Sequence, residues 1–415
     1  MDAEAAPWAQ RVRREYAEFE RVVSSSPLIN VTVSEIDGRR VRIGDRWFDD
    51  FASCNYLGFD LDPEIVEGVL PYLRSWGTHP SWSMMLARPV LCERIEDRLR
   101  ELLGAEDVLL LPTLTHIHNA ALPVLAAGGV VLVDHRAHRT IHDGALAAKA
   151  RGATVRRFRH GDLDQLERLL RKLPAEPRVI CMDGVNSMTG NPPDLPAFAE
   201  LARRHGALLY VDDAHGFGII GERRPDERCP YGVRGNAIVR HFGESYEHIV
   251  LTAGMSKAYS SLLAFTACPA PTRRLLEITA SSYTYSGPPP VAALASALLG
   301  LEINERRGDV LRSRIHQLTS TLLEAIADLA AKTPNSSGLP IVELILADPD
   351  DVVAVGRHLY DRGILVTMAP PTVVPHDEIG FRIQLTAANT DDQLDRLIEV
   401  LKEISKRFGF RPECA

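Results

Sequence analysis

The feature that most restricts how this chain folds is an alternation that runs from about residue 60 to 290. Short apolar runs at Val108–Leu111, Val130–Val133, Val179–Met182, Leu208–Val211 and Ile249–Thr252 are separated by amphipathic stretches. Uninterrupted apolar runs of that length suit strands buried on both faces, and the stretches between them supply covering helices. The pattern predicts an α/β fold built on a mainly parallel sheet with helices on both faces. Leu166, Leu169, Leu170 and Leu173 recur at helical spacing and mark one of those helices. The proline-rich stretch Gly287–Pro290 then breaks the chain ahead of Val291–Ile303, an apolar helix expected to lead into a second domain.

Two flanking regions complete the organisation. Trp8, Val12, Tyr16, Phe19 and Val22 predict an amphipathic N-terminal helix that packs on a body elsewhere. Val31–Val33, the Asp37-Gly38 turn, Val41–Ile43 and Trp47-Phe48 read as a small β meander. After residue 291, strands are expected at Ile341–Leu346, Ile364–Met368 and Phe381–Thr386, with a closing helix carrying Leu394, Leu397, Ile398, Leu401 and Ile404 on one face. The expected domains are residues 1–59 (helix and meander), 60–290 (large α/β domain) and 291–415 (small α+β domain).

Composition excludes several function classes. A net charge of −8 and a pI near 6.0 give no electrostatic reason to expect nucleic acid or an anionic membrane as partner. Cys54, Cys92, Cys181, Cys229, Cys268 and Cys414 are scattered without a C-x-x-C pair, so neither a metal site nor a disulfide framework is expected. Met1–Trp8 holds two acids and no basic stretch leading into an apolar run, and no uninterrupted apolar segment reaches the roughly 18 residues of a membrane span. The expectation is a cytoplasmic enzyme acting on small molecules.

The sharpest constellation is an acidic pair closing a buried strand, Leu208-Leu-Tyr-Val-Asp-Asp-Ala-His215, followed by Ile249-Val-Leu-Thr-Ala-Gly-Met-Ser-Lys257. Ligands of open α/β sheets collect at the carboxyl ends of strands, so both segments deliver polar side chains to one crevice. A carboxylate beside a pyridine nitrogen keeps it protonated and makes the ring an electron sink, while a lysine amine condenses with an aldehyde. Asp212 and Lys257 suit those roles for pyridoxal 5′-phosphate (PLP). Taken singly, an Asp-Asp at a strand end is more often a helix cap or a metal ligand, and a Ser-Lys is usually surface. Their order and spacing give them weight together.

The sequence resembles the α-oxoamine synthases, a family of fold type I PLP enzymes. The resemblance runs over nearly the whole chain, through Asn55–Gly58, Asp134–His138, His160–Asp162, Asp183–Ser187, Val211–Gly218, Ser256-Lys257, Pro370–Thr372 and Phe381–Thr390. It implies an aminotransferase-like fold with a mainly parallel seven-stranded sheet and a smaller C-terminal α+β domain, and a homodimer with shared active sites. Position by position, it implies Lys257 as the Schiff-base and catalytic lysine, Asp212 as partner of the pyridine nitrogen, and His215 as donor to the phenolic oxygen. It implies His138 stacking on the cofactor with Ser187 beside it, Arg382 gripping the substrate carboxylate, and Asn55 and Trp82 near the substrate. Phosphate is expected against Thr115 and His116, where a strand turns into a helix N-terminus, with Ser256 from the same chain and Ser286 from the partner.

Several positions depart from the family pattern. Gly77–Met84 replaces a glycine-rich segment and places Trp82 near the substrate, Leu114-Thr115-His116 replaces the usual phosphate turn, and Gly254 stands where relatives carry threonine. Tyr259–Leu263 lacks the glycines that usually follow the lysine, and Cys54 replaces an asparagine. The wall after Lys257 is therefore expected to be bulkier. The resemblance implies an acyltransferase: an amino-acid carbanion attacks an acyl thioester, carried by coenzyme A or a carrier protein, and the adduct loses carbon dioxide to give an α-aminoketone. The alternative couples the amino acid, at Cα or at Cγ after γ-elimination, to a non-thioester electrophile.

Overall fold

The computed structural model describes residues 8–11, 17, 20, 23–173, 176–370 and 374–412. Residues 8–11 and 23–25 are helical, while Val12, Tyr16, Phe19 and Val22 of the expected N-terminal helix lie outside the described residues, as do Pro371, Thr372 and Cys414. The meander is present as β1 (Val33–Asp37), β2 (Arg40–Ile43) and β3 (Arg46–Asp50), joined antiparallel.

The larger of two compact units, Asn55–Ser187 with Asn191–His316, holds a seven-stranded sheet. Its strands are β4 (Asp107–Leu111), β5 (Val130–Asp134), β6 (Thr154–Phe158), β7 (Arg178–Asp183), β8 (Leu208–Asp212), β9 (Ile249–Gly254) and β10 (Ala264–Cys268). They run in the order β4-β10-β9-β8-β7-β5-β6, parallel except for β10, which is antiparallel to both neighbours. β5, β8 and β9 carry the apolar runs expected of them, with side chains almost wholly removed from water. The register sets Asp183 beside Asp212, and Asp212 beside Thr252, at the ends of adjacent parallel strands. Two strands were not expected. β6 is an edge strand whose Arg156 and Arg157 face solvent, so it lacks the apolar signal. β10 is short and built partly of small residues.

The second unit comprises Met1–Cys54, Met188–Gly190 and Gln317–Ala415. It holds β11 (Ile341–Ile345), β12 (Ile364–Leu365), β13 (Thr367–Ala369) and β14 (Gly380–Gln384). The expected single strand Ile364–Met368 is in fact two. β12 pairs parallel with β3, while β13 pairs antiparallel with β14. The closing helix Asp391–Arg407 starts in a capping box formed by Thr390 and Gln393 and buries Leu394, Leu397, Leu401 and Ile404.

The boundaries expected at 59/60 and 290/291 fall elsewhere for physical reasons. Val41, Ile43, Phe48 and Phe51 share one apolar core with Phe381 and Leu397, so the meander belongs to the smaller unit. The prolines at 288–290 precede an unbroken helix, Val291–Asp328. Its early part is tied to the larger unit by Ser261 Oγ donating to the Ala293 carbonyl (2.7 Å) and by Arg312 donating to the Gly218 carbonyl (3.0 Å). Its later residues Leu318, Leu322 and Ile326 enter the core of the smaller unit.

Candidate active site

In the larger unit a cavity of about 350 Å³ opens where β7, β8 and β9 end. Lys257, Asp212, His215, His138, Ser187, Thr115 and Ser256, all expected from the sequence, line it together. Thr113, Leu114, Thr140, Asp183, Val185, Ala214 and Leu262 complete the wall.

Each polar group is held by local structure. Asp212 Oδ1 accepts the Ala214 backbone N–H (3.0 Å) and Oδ2 lies 3.0 Å from His118 Nε2. Burial alone would raise the Asp212 pKa, but the His118 hydrogen bond and the attraction of His118, Lys257 and His138 outweigh it, and the pKa is lowered. Its register partner Asp183 is held well above the usual carboxylate range, first by desolvation and then by the charge of Asp212. Of the two, Asp212 carries the charge.

Asp213 points away from the cavity. Its carboxylate accepts the backbone N–H groups of Ile238 (2.8 Å) and Val185 (3.3 Å), and burial pushes its pKa up to about 7. A Cβ added at Gly184 or Gly216 would fall 2.4 or 2.1 Å from Asp213 Oδ1, so only glycine fits at either position.

His138 caps the helix Arg139–Ala150. Its backbone N–H donates to Asp183 (2.8 Å) and its ring Nδ1 lies 2.7 Å from Thr140 Oγ1. His215 Nδ1 lies 2.7 Å from the hydroxyl of buried Tyr56. Lys257 is fixed by a tight turn in which Ser260 donates to the Lys257 carbonyl (2.9 Å) and Met255 to Leu263 (2.7 Å). Thr113, Leu114 and Thr115 bring the N-terminus of the helix Leu114–Ala126 to the cavity, and free N–H groups there favour an anion.

Other expected residues lie outside this lining. His116 is exposed, and its N–H is taken by Thr113 Oγ1. Trp82 is 43% exposed, so it does not fill the cavity. The Ser286 carbonyl accepts from the Met84 N–H (3.4 Å), and Asn55 donates to Asp60 (2.9 Å). Arg382 belongs to the smaller unit, on β14, where its Nε donates to Gln384 Oε1 (3.3 Å) and its Nη1 lies 3.8 Å from Met188 Sδ. Sequence reasoning named Asp183 only within a resemblance motif, without a role, and missed His118. The available signal for His118 was its place on the buried helix face with Ala121, Leu122 and Leu125.

Among the described residues no group of three or more His, Cys, Asp and Glu side chains is placed to hold a metal ion. No helix among them is long and apolar enough to cross a membrane. Cys54, Cys92, Cys181, Cys229 and Cys268 are free thiols.

This fold is one shared by many solved structures. The family model for aminotransferase class I and II matches residues 88–401. The 8-amino-7-oxononanoate synthase of Stutzerimonas stutzeri (strain A1501) is 33% identical over 356 residues, covering 85% of this chain and 86% of that protein. The same-named enzyme of Methylobacillus flagellatus is 28% identical over 415 residues, 98% of this chain and 96% of its own. Among solved structures, serine palmitoyltransferase from S. paucimobilis superposes with a TM-score of 0.87 at 21% identity, covering 96% of this chain and 98% of that one. The chain belongs to the α-oxoamine synthase family of fold type I pyridoxal-phosphate enzymes, within aminotransferase class I and II.

Proposed function

We propose that this enzyme joins the α-carbon of an amino acid to the acyl group of a thioester, loses carbon dioxide from the adduct and releases an α-aminoketone. The observation that carries the reading is that Lys257 and Asp212 line one cavity, where the Asp212 pKa is lowered by His118, Lys257 and His138. The relatives are named for a product with an amino group beside a ketone, which is what this reaction yields. Coupling to a non-thioester electrophile finds no support among them.

The residues present fit PLP. The cavity is large enough for a substituted pyridine with a small amino acid. Lys257 would hold the aldehyde and Asp212 the ring nitrogen. The helix N-terminus at Leu114-Thr115, with Ser256, would hold the phosphate. When bound, PLP supplies an electron sink for the charge that develops at the substrate's α-carbon.

The chain's own groups do the rest. Lys257 takes the proton from Cα as general base. Burial and the charge of Asp212 raise the pKa of Asp183 well above the carboxylate range, which favours Asp212 as the charged partner of the ring nitrogen. His215, steadied by Tyr56, would donate to the phenolic oxygen, and His138, fixed by Thr140 and Asp183, presents a flat ring for stacking with Ser187 alongside. Arg382, whose planar fork suits a carboxylate and whose Nε donates to Gln384, is the residue the family resemblance gives for the substrate carboxylate. The same proposal places the enzyme in the cytoplasm as a homodimer whose subunits share active sites, with the acyl group delivered by coenzyme A or a carrier protein.

The test is thiol release from a panel of acyl-coenzyme A donors and amino acids, followed with a thiol reagent. At least one pair is expected to release coenzyme A with wild type and none with Lys257→Ala. Silence from wild type across coenzyme A and carrier-protein donors would sink the thioester assignment.

A further inference from the structure

Behind Asp212, on the side away from the cavity, sits a histidine that no part of the proposed chemistry requires. His118 lies in the middle of the helix Leu114–Ala126 and is wholly buried. Its Nε2 is 3.0 Å from Asp212 Oδ2 and its Nδ1 is 2.9 Å from the hydroxyl of Tyr210. Tyr210 is fully buried too, with its ring edge-on to the imidazole at 5.7 Å. A histidine on an apolar helix face is costly to bury unless both nitrogens are satisfied. Here both are. An ionised Asp212 can only accept, so Nε2 is the donor to the carboxylate, and the Tyr210 hydroxyl holds the other ring nitrogen.

Resting on the reading that Asp212 faces the cofactor's ring nitrogen, we propose that His118, oriented by Tyr210, is the positioning residue that fixes the Asp212 carboxylate, as the charged acceptor, in its orientation toward the cavity. His118 does not line the cavity and so touches no substrate. Its effect passes through the carboxylate, as a partner behind a metal-bound histidine tunes the ligand it holds. The other ionisable groups around Asp212 are Asp183 on β7, His138 after β5, Lys257 after β9, and Tyr210 and Asp213 on its own chain segment. Among them His118 makes the hydrogen bond that favours the charged form of Asp212 most strongly.

The experiment measures the dissociation constant for PLP, and the Lys257-dependent visible band, as functions of pH on the acid side of neutrality. It compares wild type with His118→Phe, His118→Asn, Tyr210→Phe and Asp212→Asn. In His118→Phe the pH at which PLP affinity fails is expected to rise by about one unit, a roughly tenfold loss at a fixed acid pH. His118→Asn, which keeps an N–H donor, should recover most of it, and Tyr210→Phe should shift the same way by less. An unchanged acid limb in folded His118→Phe overturns the proposal, as does equal loss in the Asn and Phe variants, which would mean packing alone. Tyr210→Phe removes a single hydroxyl; if His118→Phe does not fold, an unchanged acid limb in Tyr210→Phe overturns it instead. Asp212→Asn separates the two readings. If that variant also leaves affinity and acid limb unchanged, the cofactor role of Asp212 fails, whatever His118 does.

Discussion

On one side of Lys257 the cavity wall is Asp212, with both oxygens bonded and a buried histidine and tyrosine behind it. On the other side the wall is Leu262, carried by the turn from Tyr259 to Leu263. There Ser260 adopts a left-handed φ of +51°, and among the described residues its buried hydroxyl has no hydrogen-bond partner. Tyr259 stacks on Phe217 at 5.0 Å and meets Phe59 edge-on at 5.6 Å, while Leu262 faces the cavity and is 60% exposed. The first wall is a closed set of hydrogen bonds with few alternatives. The second is apolar shape on a strained backbone, which many sequences can replace. On the proposed function, the first wall would serve the cofactor and the second the choice of acyl donor.

The most drastic challenge to that division is Lys257→Ala, which should abolish the visible PLP band and lower turnover on the order of 10⁴-fold or more. A retained band would remove the axis on which the two walls are compared. Asp212→Asn comes next, with an expected loss in kcat of about 10²- to 10³-fold at unchanged fold. Its pH signature has a definite sign. The folded pKa of Asp212 is lowered from the ordinary 3.8, so the stability it contributes is present above 3.8 and lost as pH falls through the lower folded value. Urea unfolding against pH should show that acid slope shrinking in Asp212→Asn.

Leu262→Ala probes the other wall. The ratio of kcat/KM for a longer over a shorter acyl donor should change by about tenfold, the scale of a few methylenes in an apolar pocket, with the visible spectrum unmoved. A spectral shift of the size seen in Asp212→Asn would show that the walls are not independent. Ser260→Gly should have the smallest effect. Relief of the left-handed strain, about 1 kcal/mol, is partly offset by the flexibility of glycine, so a thermal melt should show a gain of a few tenths of a kcal/mol. A loss would mean that the Ser260 side chain supports the turn.

The same division governs what could be read from the sequence. Five buried strands were legible because both faces are covered and their side chains are uniformly apolar. β6 was not, because Arg156 and Arg157 stand on an exposed edge, and the break at Val366 was not, because apolarity does not say which partner a strand pairs with. At the site, Lys257 and Asp212 were legible as polar residues at or just after strand ends, and His138 and His215 through the family resemblance. His118 was not: its place on a buried helix face was a signal that it is satisfied internally, but not that its partner is a carboxylate on a strand. Trp82 was placed near the substrate by the pattern of relatives, yet lies outside the cavity, because a substitution in a loop can redirect a side chain without altering the sheet.

Asp213, with Gly184 and Gly216 pressed against its carboxylate, bears on how this protein can change over time. The three positions form one mutational unit: neither glycine can gain a side chain while the aspartate stays, and shortening the aspartate strands the N–H groups of Val185 and Ile238. A library that diversifies the pocket should therefore leave this trio untouched and spend its variation at Leu262 and its neighbours, where drift costs little. In a survey of all single substitutions, intolerance at 184, 213 and 216 would mark a fault line of inheritance, not a place where substrate is touched.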